Sequence, residues 1–78
     1  MALKDVLEYI ARGLVDDPGA VTVAEVQGER SVLLKLSVAP EDMGKVIGRR
    51  GRTARAIRDV VRAAGTVAGV VAAVEIVE

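Results

Sequence analysis

Two glycines three residues apart, Gly48 and Gly51, interrupt a stretch that is otherwise helical in pattern. Before them, about Glu41 to Ile47 reads as a short helix. Ala39-Pro40-Glu41-Asp42 opens it, with a proline suited to a first helical position and two acids facing the helix dipole. After them, about Arg52 to Ala64 has the period of a longer helix. Ala54, Ile57, Val61 and Ala64 share one sector, and Arg52, Arg55, Arg58 and Arg62 the opposite one. Gly48-Arg49-Arg50-Gly51 therefore turns the main chain sharply between two helices and leaves it bare of bulk at both ends. Gly65 is the expected C-cap of the second helix.

The periodicity elsewhere completes the architecture. Leu3, Val6, Leu7, Ile10 and Leu14 recur at steps of three and four, predicting a helix over residues 3–16 that Asp17-Pro18-Gly19 stops. Residues 21–26 are rich in β-branched side chains, Gln27-Gly28-Glu29-Arg30 reads as a turn, and Val32, Leu34, Leu36 and Val38 alternate with Leu33, Lys35 and Ser37. That pair predicts a β-hairpin with one buried face. After a turn around Ala68-Gly69, Val70 to Val77 predicts a last strand. The order is α-β-β-α-α-β. The expectation is an α+β domain spanning residues 1–78, a three-stranded sheet covered on one face by three helices.

Composition narrows the chemistry. The 78 residues allow one domain with a thin core, and they include no cysteine and no histidine. Disulfides, thiol nucleophiles, imidazole acid–base catalysis and thiolate or imidazole metal sites are thereby excluded. No carboxylates sit as a catalytic dyad; Asp16, Asp17, Glu41 and Asp42 read as helix caps. The chain is not expected to be an enzyme, and no cofactor is implied. The longest apolar run, Val70 to Val74, is far too short to span a bilayer, and the acidic N-terminal region is unlike a signal peptide, so a cytoplasmic protein is expected. The single aromatic residue, Tyr9, is expected to pack and leaves no platform for stacking bases.

The formal charge of zero conceals a segregation. Between Met43 and Thr66, Lys45, Arg49, Arg50, Arg52, Arg55, Arg58 and Arg62 stand against Asp59 alone, whereas the remaining residues carry four bases against ten acids. Such a distribution attracts a polyanion to one region and repels it elsewhere, if the sequence segregation survives in space. The basic region centres on the glycine loop. A helix beginning just after the loop presents N–H groups and a positive dipole end, and arginine binds phosphate through paired hydrogen bonds. Neither Gly44 nor Gly48 starts a Walker motif, and the loop lacks the spacing and strand context of a dinucleotide fingerprint. The loop then reads as a clamp for a sugar–phosphate backbone, or more plainly as a helix–helix turn beside a solvated basic face.

V-I-G-R-R-G between two helices, within this order of elements, resembles the KH domain in its type II arrangement. Leu14-Val15-Asp16-Asp17-Pro18, the run Val38 to Gly48, Gly51 to Arg58 and Val74-Glu75-Ile76-Val77 are similar to the small stand-alone bacterial KH proteins of the KhpA family. The resemblance runs end to end, which implies a whole protein. It further implies an RNA-binding protein and RNA chaperone that acts with a KhpB (Jag-like) partner in cell-envelope homeostasis and cell-length control. Carried over by position, Gly48, Arg49, Arg50 and Gly51 would clamp single-stranded RNA, and Val46, Ile47 and Ala54 would line an aliphatic groove for about four nucleotides. Lys45, Arg52 and Arg55 flank the loop as further candidates, each otherwise a solvated charge. One departure is that the lysines common in the family before the last strand are replaced by Thr66-Val67-Ala68-Gly69-Val70.

Other residues have plainer readings. Arg58 and Arg62 are expected to solubilise the helix or pair with acids. Val46, Ile47 and Ile57 are core residues unless one edge stays exposed. Val60, Val67 and Val70 would form a patch for a second copy or a second KH protein if the chain leaves them uncovered. An adaptor that uses the fold for dimerisation and leaves RNA contact to its partner is the competing reading. Single-stranded DNA is a third possibility, since a backbone clamp need not sense the 2′-hydroxyl.

Overall fold

The computed structural model describes residues 2–78. Helix α1 (Leu3–Leu14) buries Leu7 and Ala11, one turn apart on the apolar stripe. It ends two residues before the expected limit; the chain is already extended at Val15 and makes one 3-10 turn at Pro18–Ala20. Tyr9 lies off the stripe and is 79% exposed, so the packing role expected of it is absent. Strands β1 (Thr22–Gly28) and β2 (Ser31–Ser37) pair antiparallel, joined by Glu29 and Arg30 alone. The hairpin turn is thus tighter than the four residues expected, and Arg30 takes a left-handed φ of 56° to close it.

The chain then makes a 3-10 turn at Pro40–Asp42 and enters helix α2 (Met43–Ile47). A third 3-10 turn, Arg49–Gly51, leads into helix α3 (Arg52–Ala68), and strand β3 (Val71–Ile76) follows. Strand β3 runs parallel to β2, which makes a mixed sheet in the order β1-β2-β3. No helix among the described residues is long and apolar enough to cross a membrane.

Helix α3 outruns the sequence expectation by a full turn. Gly65 lies inside it, and the cap is Gly69, with φ 80°. The Val70 N–H donates to the Gly65 carbonyl at 2.9 Å and the Gly69 N–H to the Thr66 carbonyl at 3.1 Å, the paired bonds of a Schellman ending. Gly65 serves packing instead: a Cβ there would stand 2.7 Å from the Ala72 Cβ, so its absence lets α3 approach β3 closely. Thr66, Val67 and Ala68 are helical, not a turn.

Helices α1 and α3 pack on the sheet face formed by Val23, Val32, Leu34, Leu36, Ala72 and Val74, with Leu7, Ile57 and Val61 filling the layer between. Completely burying Leu34 and Leu36 contributes about 2 kcal/mol each. Helix α2 packs against α3 and α1. That placement carries the loop between α2 and α3 to the end of the helical layer.

Candidate nucleic-acid interface

Three of the four residues from Gly48 to Gly51 have left-handed φ values: Gly48 at 75°, Arg50 at 59° and Gly51 at 73°. The loop is compact because two main-chain hydrogen bonds close onto its carbonyls. The Gly51 N–H donates to the Gly48 carbonyl at 3.1 Å and the Arg52 N–H to the Arg49 carbonyl. Arg49 and Arg50 are exposed at its tip, and Arg52 and Arg55 are exposed on the first turns of α3. Among the described residues, no hydrogen bond or ion pair engages the side chains of these four arginines. Their charge is therefore uncompensated by direct contact.

The other basic residues between Met43 and Thr66 are committed elsewhere. Arg58 Nε donates to the Val74 carbonyl at 3.4 Å, tying α3 to β3 where an acid was an expected partner, and Arg62 pairs with Asp59 at 3.6 Å one turn before it. Lys45 is held between two carboxylates: its Nζ donates to Asp16 and, at 3.3 Å, to Asp42.

Among the described residues Asp42 is the one charged side chain in the interior, 2% exposed. It was expected to cap a helix, but makes no side-chain cap bond to its own. Its carboxylate instead accepts the Asp17 N–H, 25 residues back in the chain, at 3.0 Å. Burial alone would raise its pKa; the N–H groups of Asp17 and Asp16 and the Lys45 ammonium outweigh that and lower it. The Lys45 pKa is raised, first by the hydrogen bond to Asp16, against the effect of burial and with the help of Asp42. The i,i+3 spacing of Asp42 and Lys45 is the local part of this cluster; its links to Asp16 and Asp17 are long-range.

Of the residues expected to line an aliphatic groove, Val46 is 0% exposed and Ala54 is buried, so both support the loop from the interior. Ile47 keeps part of its surface. A separate apolar groove of about 280 Å³ runs between α1 and α3, lined by Ile10, Leu14, Thr53, Ala56, Ile57 and Val60. Val60 is 49% exposed there. Val67 is exposed seven residues on, whereas Val70 is half-buried against the core, so the three valines do not form one open patch.

Residues 4–76 match a family described as "KhpA/KhpB, KH domain". The chain is 61% identical over 62 residues to the RNA-binding protein KhpA of Clostridium acetobutylicum, covering 80% of this chain and 83% of that one. It is 46% identical over 77 residues to the protein of the same name from Aquifex aeolicus, covering 99% and 98%. In structure it is similar to Aquifex aeolicus Era bound to GDP and AlF4−, with a TM-score of 0.65 and 16% identity over 95% of this chain and 29% of that one. The Era likeness concerns the fold alone. Family match, identity across nearly the whole length and the α-β-β-α-α-β order agree: the chain belongs to the KhpA family, a non-enzymatic family of KH-domain proteins.

Proposed function

We propose that this chain binds single-stranded RNA at the Gly48–Gly51 loop. The observation that carries the reading is the set of four exposed, unpaired arginines, Arg49, Arg50, Arg52 and Arg55, around a tight glycine-bounded turn. The curated relatives named as RNA-binding proteins support it. Arg49 and Arg50 contact phosphate, Arg52 and Arg55 extend the cationic track along α3, and Ile47 offers apolar contact beside it. With no aromatic platform, recognition relies on backbone and shape, and each phosphate neutralised contributes about −0.7 to the salt-dependence slope. Remodelling of bound RNA, as a chaperone in cell-envelope and cell-length control, is the wider role proposed. Replacing Arg49 and Arg50 together by glutamate tests the site: RNA affinity in a salt-titrated anisotropy assay should vanish while the thermal transition stays in place. Retained affinity refutes the clamp.

The half-exposed Val60, beside Leu14 in the α1–α3 groove, favours a second, compatible reading in which that groove receives a second copy or a KhpB-type partner. The family match, which spans both proteins, supports the link. Val60→Asp should then yield a monomer by analytical ultracentrifugation at concentrations where the parent self-associates; an unchanged association state excludes this surface.

A further inference from the structure

The Asp16–Asp42–Lys45 cluster lies just ahead of the loop yet presents no free cation to a ligand. Lys45 faces a buried carboxylate on one side and an exposed one on the other. The Asp42 carboxylate also takes the Asp17 N–H, which binds the segment after α1 to the start of α2. Helix α2 has only five residues, and its own hydrogen bonds cannot hold it in place. One face is fixed by Val46 in the core; the other is fixed by this polar cluster. The Gly48 N–H, bonded to the Gly44 carbonyl at 2.9 Å, continues that helix directly into the loop.

We infer that Asp42 and Lys45 are positioning residues for the RNA-binding loop: together they pin α2 to the segment after α1, and Lys45 does not itself contact RNA. This inference rests on the RNA-binding reading, but half of its test does not need RNA.

In the RNA-free Asp42→Asn protein, amide order parameters at Gly48 and Gly51 should fall toward about 0.6 while those in β2 stay near about 0.85. If the loop amides stay as ordered as in the parent, the pin is refuted whatever the ligand. With a short oligouridine strand as probe, Asp42→Asn and Lys45→Met should each weaken binding by about tenfold. The double variant should be no weaker than either single one, because both break the same link. The salt slope should be unchanged in all three. A slope reduced by about 0.7 in Lys45→Met would make Lys45 a phosphate contact and overturn the inference. So would additive losses, or parental affinity in the double variant, which would mark simple charge compensation. Should Lys45→Met fail to fold, Lys45→Gln carries the same slope comparison. Failure of the RNA reading is told apart by the Arg49 and Arg50 double replacement, which leaves α2 untouched.

Discussion

A Cβ placed on Gly48 would lie 2.2 Å from Thr53 Oγ1 and 2.9 Å from the Thr53 backbone nitrogen. Gly48 thus meets two demands, a φ of 75° and contact with the first turn of α3. Gly51 meets only the first, with φ 73° and open space around it. Gly48→Ala should therefore destabilise the domain by about 3 kcal/mol, and trimming Thr53 to alanine should not restore it because the backbone nitrogen remains. Gly51→Ala should cost about 1 kcal/mol. Urea denaturation of the three variants checks the order, and equal losses at the two glycines would contradict it.

Gly65→Ala meets the Ala72 Cβ at 2.7 Å and the Val70 carbonyl at 3.0 Å, so α3 and β3 must part. The expected loss is about 2 kcal/mol. RNA affinity, measured well below the melting temperature, should be preserved, since the loop lies at the other end of α3.

Arg50 holds a conformation that glycine adopts without strain. Arg50→Gly should raise stability by about 1 kcal/mol and lower RNA affinity, with the salt slope reduced by about 0.7. Stability and binding then move in opposite directions. A variant that loses both would indicate that the arginine side chain supports the fold.

The lowered pKa of Asp42 predicts an acid limb in stability. A carboxyl whose folded pKa lies below its unfolded value of about 3.9 stabilises the fold above that value and loses the contribution as pH falls through the folded pKa. Lys45 acts at the other end: its contribution is complete below about 10.4 and is lost as pH rises through the higher folded pKa. Asp42→Asn should flatten the acid limb in denaturation curves between about pH 5 and 2, leaving the neutral plateau lower.

Much of this was legible in the sequence because it is written in short-range spacing. Val32, Leu34 and Leu36 alternate and are buried as that alternation requires, and Ile57 and Val61 fall on the inner side of α3. The loop and its exposed arginines follow from V-I-G-R-R-G. What escaped depends on partners distant in the chain. Which of Gly65 and Gly69 ends α3 is decided by Ala72, against which only a glycine at 65 can pack. The role of Asp42 depends on the Asp17 N–H, which no local pattern reveals. Val46 sits on a helix too short for periodicity to say which side faces inward.

Strand β3 lies beside β2 in parallel, with Ser31 paired to Val71, and supplies Ala72 and Val74 to the core. A nascent chain that has released the hairpin and all three helices from the ribosome still lacks one wall of its interior. Closure must wait for a pairing between Ser31 and Val71, segments separated by about half the chain, and such a non-local contact slows folding. Until then the side of α3 that β3 covers stays open to solvent and to chaperones.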